Sequence, residues 1–174
     1  PLYDWRSHSE DNYRWWAGRI GRALQLHDEV RIDHFRAFAA YWSVAADAKT
    51  AKNGAWMVGP GKDFFDGIEK AVGDAPIVAE DLGVITEDVV NLRESINAPG
   101  MAVLQFAWGG DSQSPHLPHN MYENSFCYPG THDNQTTEGW FESLDEATKL
   151  KLAYYAGISE AEGAAWGLIR LGMS

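Results

Sequence analysis

Residues 29–36 read EVRIDHFR, a short apolar run that ends abruptly in charged side chains. The run is predicted to be a buried strand. Side chains two residues apart share one face of a strand, so Arg31 and Asp33 are predicted to lie side by side. A neighbouring cation favours the ionised form of a carboxylate, and this suits Asp33 to act as a nucleophile or an electrostatic stabiliser. For an isolated motif, the simpler alternative is a structural ion pair that closes a strand.

The same pattern, a strand that runs into acidic side chains, recurs twice downstream. Residues 75–81 read APIVAED, so Glu80 directly follows a second apolar run. Residues 125–134 read SFCYPGTHDN, in which a short strand is followed by Asp133. Sheets and barrels of parallel strands place their sites at the carboxyl ends of the strands. The repeated pattern therefore favours a functional site over an isolated ion pair.

Hydrophobic periodicity predicts that helices alternate with strands along most of the chain. One more strand is predicted over 101–107. Helices are predicted over 9–26, 63–72, 86–96, 136–144 and 146–156, and from the capping box Ser159-x-x-Glu162 onward. The other long segments are predicted to be irregular, namely 1–8, 37–62 and 109–124. Four strands that mostly alternate with helices predict parallel pairing in an α/β fold.

The length of the chain bears on the kind of α/β fold. A (β/α)8 barrel typically needs about 250 residues, whereas this chain has 174 residues. We therefore expect the chain to be part of a longer protein. Alone, it is expected to fold poorly and to be inactive, because an open half barrel exposes the edges of its sheet.

Composition excludes several classes of partner. The net charge is −11 at pH 7, which argues against a nucleic-acid surface or an anionic membrane face and is compatible with a neutral substrate. Cys127 is the single cysteine, so an internal disulfide is excluded. No apolar run approaches the roughly 20 residues that a membrane helix needs.

Three carboxylates at strand ends suit the cleavage of glycosidic bonds. Retaining enzymes use one ionised carboxylate as nucleophile and a second, protonated one as acid and then base, about 5–5.5 Å apart. Asp33 beside Arg31 suits the first role. Glu80 suits the second, because an apolar strand and an adjacent acid favour the protonated form. His132 and Asp133 could hydrogen-bond sugar hydroxyls and stabilise a developing oxocarbenium ion.

Two other interpretations of these residues stay open at this point. Asp-His and Glu-Asp pairs at strand ends are also the ligands that a barrel metallohydrolase would use. In the simpler case, the histidines and acids only cap strands and helices. The spacing of the residues does not decide between these alternatives.

Several motifs, in order along the chain, resemble the signature segments of 4-α-glucanotransferases. This is the amylomaltase or disproportionating-enzyme family, glycoside hydrolase family 77 of the α-amylase clan. The three main segments are RIDHFR at 31–36, AEDLG at 79–83 and GTHDN at 130–134. Shorter matches are PLYDW at 1–5, YW at 41–42, GPG at 59–61, PGM at 99–101, VLQF at 103–106 and LPHN at 117–120. The segments at 46–51 and 61–66 look most similar to the plastid forms of plants and algae.

The resemblance implies a role for individual residues. Asp33 falls on the family's nucleophile, Glu80 on its general acid/base and Asp133 on the third carboxylate, which binds and distorts the donor sugar. Arg31 matches the arginine that orients the nucleophile, and His132 matches a histidine that contacts the same sugar. On the acceptor side, Phe106 matches an aromatic side chain and Asp81 is a further substrate-binding candidate.

The resemblance also implies the fold and the reaction. We expect residues 1–174 to form part of one catalytic (β/α)8 TIM barrel, about strands 4 to 7, with no separate second domain. The implied enzyme transfers a segment of an α-1,4-glucan to the 4-hydroxyl of an acceptor glucan or glucose, with retention and through a covalent glucosyl-enzyme intermediate. Two alternatives remain: an α-glucan hydrolase of the same clan, or an inactive glucan-binding relative.

The implied partners are maltooligosaccharides and starch-type glucans, and neither nucleic acid nor membrane. The mechanism implies no metal and no organic cofactor. The expected location is the plastid stroma if the source is a plant or an alga, and otherwise the cytoplasm.

Overall fold

In the computed structural model, which describes residues 2–174, the chain divides into two units, Pro1–Gly100 and Met101–Ser174. In the first unit the elements are α1 (Trp5–Glu10), α2 (Arg14–Leu24), β1 (Val30–Ile32), β2 (Ala40–Val44), β3 (Gly54–Val58), α3 (Gly61–Val72), β4 (Ile77–Ala79) and α4 (Glu87–Ser95). The strand β5 (Gly100–Val103) crosses the boundary, and the second unit continues with β6 (Ser125–Tyr128), α5 (Thr137–Ser143), α6 (Glu146–Ala156) and α7 (Gly163–Gly172). None of the helices described has the length and hydropathy that crossing a bilayer requires.

The strands β1 and β4 pair in parallel, as the sequence predicts. Their register sets Val30 opposite Ile77 and Ile32 opposite Ala79. All three residues of β4 are buried, whereas in β1 only Ile32 is buried. The prediction of a fully buried strand is therefore wrong for β1, whose Arg31 side chain stays partly exposed beside Asp33.

The first unit begins with a helix that the sequence analysis missed. The predicted helix start at Ser9 is wrong, because Asp4 caps α1 by accepting a hydrogen bond from the Ser7 N–H. Ser9 therefore lies in the last turn of α1, and Asn12 and Tyr13 adopt positive φ before α2 begins. The capping oxygen at the first helix start thus comes from Asp4.

A β-hairpin replaces the long loop predicted over residues 37–62. A 3-10 helix, Phe35–Phe38, leads into the antiparallel strands β2 and β3, which pair Ala40 with Val58 and Val44 with Gly54. The prediction is wrong here because every residue of β3 is exposed. A strand with no buried face lacks the alternation of apolar and polar residues that identifies strands.

Each unit has its own hydrophobic core. In the first, α2 and α3 cover the β1–β4 pair with rings and branched side chains, and Phe35, Phe64, Ile68 and Val89 are fully buried. In the second unit Leu104, Leu152 and Leu168 are fully buried.

The remaining elements agree with the predictions except at two boundaries. The strand predicted over 101–107 is shorter, because β5 gives way to a 3-10 helix at Leu104–Phe106. The capping box predicted at Ser159 forms a turn, in which the Glu162 N–H donates to the Ser159 hydroxyl. The helix α7 starts at Gly163, directly after Glu162. Glu162 instead pairs with Arg170 at 2.7 Å, and this hydrogen bond lowers the pKa of its carboxyl.

Candidate active site

Asp33 stands directly after β1 and forms an ion pair with Arg31. The Nη2 atom of Arg31 lies 2.8 Å from the Oδ1 atom of Asp33, which confirms that the two side chains share a face. The Asp33 side chain is 73% exposed, so its carboxylate is open to a ligand while the guanidinium fixes one oxygen. An exposed, oriented carboxylate of this kind can attack an electrophilic carbon or stabilise a cation.

Glu80 occupies the corresponding position after β4, and two backbone N–H groups hold its carboxylate. The His34 N–H donates to Oε2 at 2.7 Å, and the Leu82 N–H donates to Oε1 at 3.0 Å. The backbone adds a second link, because the Glu80 carbonyl accepts from the Phe35 N–H at 3.0 Å. The loops that carry Asp33 and Glu80 are therefore bonded directly to each other.

His34 makes this link possible because its backbone is left-handed, with a φ of 49°. Left-handed backbone is uncommon for a residue other than glycine, and residues held in it are enriched at functional sites. The turn directs the His34 N–H toward Glu80 immediately after Asp33. Sequence reasoning missed both amide donors, because backbone N–H groups leave no mark in the sequence and a single histidine, although enriched at positive φ, does not by itself predict that conformation.

Asp81 is turned into the protein and pairs with an arginine of α4. Its Oδ2 atom lies 3.2 Å from Nε of Arg93, and the two side chains are only 10% and 7% exposed. Arg93 also donates from Nη1 to the Ala98 carbonyl at 3.1 Å. The pair anchors the backbone directly after Glu80, a contact that the sequence did not indicate. The substrate-binding role expected for Asp81 stays a prediction.

A cavity next to Asp33 is lined mostly by aromatic and aliphatic side chains. Its polar lining includes Arg31, Asp33, His34 and, from α2, Arg19. Trp5 and Trp16 stack at 5.9 Å on its apolar side. Aromatic walls with few polar groups are typical of small-molecule sites. This cavity puts Asp33 at the border between charged and apolar surface.

His132 and Asp133 lie in the second unit, in the loop after β6. The His132 Nε2 and Asp133 Oδ2 atoms are 3.4 Å apart, and both side chains are largely exposed. Asn134 shapes this loop, since its Oδ1 accepts from both the N–H and the hydroxyl of Thr131 at 2.8 Å. The turn also depends on Gly130, where a Cβ would lie 2.6 Å from the Gln105 side chain.

Phe106 is also in the second unit, at the end of the 3-10 helix that follows β5. It is exposed, and its ring meets His116 edge-on at 5.5 Å. The structure thus brings Arg31, Asp33 and Glu80 together in the first unit and describes His132, Asp133 and Phe106 in the second. That all three acids form one site stays a prediction.

Within residues 2–174, no group of three or more His, Cys, Asp or Glu residues is arranged to hold a metal ion. In the first unit, the acids after β4 are engaged otherwise, Glu80 by backbone N–H groups and Asp81 by Arg93.

Comparison with known proteins identifies relatives over the whole chain. A family model described as 4-alpha-glucanotransferase, glycoside hydrolase family 77, matches residues 1–174. The chloroplastic/amyloplastic 4-alpha-glucanotransferase of Arabidopsis thaliana is 55% identical over 174 residues, which are 100% of this chain and 30% of that protein. The 4-alpha-glucanotransferase of Clostridium butyricum is 47% identical over 98% of this chain and 35% of its own length. The chain thus spans about a third of these relatives.

Solved structures agree with the sequence relatives. The amylomaltase of Streptococcus agalactiae, in complex with acarbose, superimposes with a TM-score of 0.92 at 37% identity, over 98% of this chain and 35% of that chain. The amylomaltase of Corynebacterium glutamicum has a TM-score of 0.66 at 18% identity, over 94% of this chain and 23% of its own, and supports the fold alone. The α/β fold is therefore of the amylomaltase, TIM-barrel type. Because the family model matches residues 1–174, the chain belongs to glycoside hydrolase family 77, the 4-alpha-glucanotransferases.

Proposed function

We propose that the full-length protein that carries this chain is a 4-alpha-glucanotransferase. It moves a segment of an α-1,4-glucan to the 4-hydroxyl of an acceptor glucan or glucose. Given that the chain belongs to this family, one structural observation supports the proposal. Parallel pairing of β1 and β4 sets an exposed carboxylate, oriented by Arg31, beside a second carboxylate that two backbone N–H groups hold in place.

The proposed reaction has two displacements. Asp33 attacks the anomeric carbon of the donor while Glu80 protonates the leaving glycosidic oxygen, so the C–O bond breaks and a covalent glucosyl ester forms. Glu80 then takes the proton of the acceptor 4-hydroxyl, whose oxygen attacks the same carbon and releases Asp33. Each displacement inverts the anomeric centre, and the two together retain its configuration.

The other candidate residues act on the sugars in this proposal. Arg31 orients Asp33, while His132 and Asp133 bind the donor sugar and favour its distortion toward the oxocarbenium-like transition state. Phe106 offers an aromatic surface to the acceptor, and Asp81 is a further acceptor-side candidate. The proposal requires no metal and no organic cofactor. Water competes with the acceptor for the ester, so transfer depends on how well the acceptor is bound and water excluded.

The substrates, setting and architecture follow from the same family membership. We infer that the substrates are maltooligosaccharides and starch-type glucans, with no nucleic-acid or membrane partner. The acarbose bound to the Streptococcus agalactiae amylomaltase supports a saccharide site. Plant relatives are chloroplastic or amyloplastic, which supports the plastid stroma for a plant or algal source. For any other source we infer the cytoplasm. We further infer that residues 1–174 supply about strands 4 to 7 of one barrel domain.

The test is the product pattern from maltotriose. The full-length protein is incubated beside its Asp33→Asn variant, with Asp28→Asn as a matched control, because Asp28 is also an exposed acid of the first unit. We expect glucose together with chains longer than maltotriose from the unaltered protein and the control, and neither from Asp33→Asn. Glucose and maltose alone would indicate hydrolysis, and no product from any form would indicate a glucan-binding protein; either result would overturn the proposal.

A further inference from the structure

Two tryptophans of the β2–β3 hairpin form an exposed aromatic surface. Trp42 and Trp56 are direct cross-strand partners, and their ring centroids lie 5.5 Å apart at an angle of 67°. The two residues are 39% and 57% exposed. We call this pair the tryptophan shelf. Large aromatic side chains are usually buried, so their exposure calls for a reason.

Arg36 fixes the shelf to the loop that follows Glu80. Its guanidinium carbon lies 4.7 Å from the centroid of the Trp56 ring, and its Nη1 donates to the carbonyl of Val84. A stacked cation restrains an exposed ring. Binding of a ligand to a ring that is already restrained costs less side-chain conformational entropy. The shelf is therefore held against the segment that carries the candidate acid/base.

A cleft runs between the shelf and that segment, and its rim is polar. Thr86, Asp88 and His34 line the cleft together with the two tryptophans. The hydrogen bond from the Thr86 side chain lowers the pKa of Asp88, so Asp88 is an ionised acceptor at neutral pH. The cleft thus combines aromatic surface with hydrogen-bonding groups, which matches a sugar ring that has an apolar C–H face and a rim of hydroxyls.

The cleft lies on the Glu80 side of the candidate site. His34 also lines the cavity that contains Asp33, and its N–H binds Glu80. In a retaining mechanism the acid/base acts on the leaving oxygen and on the acceptor hydroxyl. A sugar chain that extends past Glu80 is therefore the leaving segment or the acceptor, and the cleft is placed to receive it.

We propose that the tryptophan shelf is a binding subsite for the acceptor-side sugar rings of an α-1,4-glucan. The inference rests on the proposed function and adds to it a site that discriminates chain length. Long acceptors reach the shelf, whereas glucose ends at the catalytic carboxylates. Loss of the aromatic surface should therefore weaken the use of long glucans more than the use of short ones.

The test compares maltotriose with maltoheptaose in the full-length protein. Trp56→Ala should raise the KM for maltoheptaose about fivefold to tenfold, the loss expected for one aromatic contact, and should change the KM for maltotriose less. Trp56→Phe retains an aromatic face and should recover most of the loss. Trp166→Ala is the matched control, because Trp166 is also an exposed tryptophan, at 67% against 57% for Trp56, but lies in the second unit.

Binding without turnover separates the two proposals. Calorimetry with maltoheptaose in the Asp33→Asn background should show the same fivefold to tenfold weakening when Trp56→Ala is added. Equal KM values and affinities for Trp56→Ala and the unaltered protein would refute the subsite while leaving transferase activity intact. A lowered unfolding midpoint with an equal loss on both substrates would show that Trp56 is structural, and would also overturn the subsite. Absence of glucan chemistry in the unaltered protein would instead refute the proposed function.

Discussion

Replacing Arg93 by methionine should destabilise the protein strongly, although Arg93 lies outside the candidate site. The substitution keeps an unbranched apolar stem of similar length and removes the guanidinium. The Asp81 carboxylate, 10% exposed, then loses the cation that lies 3.2 Å away. The Ala98 carbonyl also loses the hydrogen bond from Nη1.

The magnitude follows from the distance and the burial. Two unit charges 3.2 Å apart attract each other by about 5 kcal/mol at an effective dielectric constant of roughly 20. In the intact pair this attraction is offset by the cost of removing both charges from water, but the single variant keeps the buried carboxylate and loses the attraction. Removal of one partner of a buried pair costs about 3–5 kcal/mol, and we expect a loss in that range.

The assay is urea unfolding of the full-length protein, followed by tryptophan fluorescence. The control is the double variant Asp81→Asn/Arg93→Met, which removes both charges and should be more stable than the sum of the two single changes implies. A coupling energy of about 2 kcal/mol or more is expected for a contacting pair. A loss below about 1 kcal/mol for Arg93→Met, or strict additivity in the double variant, would refute the reasoning.

Two further predictions concern the backbone. Asp145 caps α6, and the hydrogen bonds from the Thr148 N–H and hydroxyl lower the pKa of its carboxyl. Stabilisation by a group whose pKa is lowered on folding is present above its unfolded pKa of about 3.9 and is lost as the pH falls through the folded value. Asp145→Ala should therefore lower the thermal midpoint at pH 7, and the difference from the unaltered protein should shrink below pH ~4; an equal difference at both pH values would contradict this. At Gly59 a Cβ would lie 2.3 Å from the Phe38 carbonyl oxygen, so Gly59→Ala should lower the free energy of unfolding in urea by about 2 kcal/mol. Gly109→Ala is the control and should leave it unchanged, because a Cβ at Gly109 would meet nothing within 4 Å.

The sequence predicts those parts of the site that rest on strand periodicity. The parallel partners β1 and β4 are confirmed, as is the contact between Arg31 and Asp33. The contact follows from side-chain alternation along a strand, and the parallel pairing follows from the alternation of strands with helices along the chain. The family was also identified correctly from the motifs.

The remaining contacts could not be predicted, because they join segments that no local rule connects. The Glu80 carboxylate is held by backbone N–H groups, one of them at a residue with positive φ. Arg93, which pairs with Asp81, belongs to the next helix, α4, and lies twelve residues further along the chain (93 − 81 = 12). The β2–β3 hairpin was missed because β3 has no buried face. The strand β3 forms through backbone pairing with β2 and not through burial of its side chains.

The bond from the His34 N–H to Glu80 has a consequence for mutational scanning. Every amino acid except proline carries this N–H, so an alanine at position 34 leaves the donor in place. The link between the loops that carry Asp33 and Glu80 would therefore stay invisible in a scan of side chains. It would show only as intolerance of proline, and of β-branched residues, which rarely adopt the left-handed backbone seen at this position.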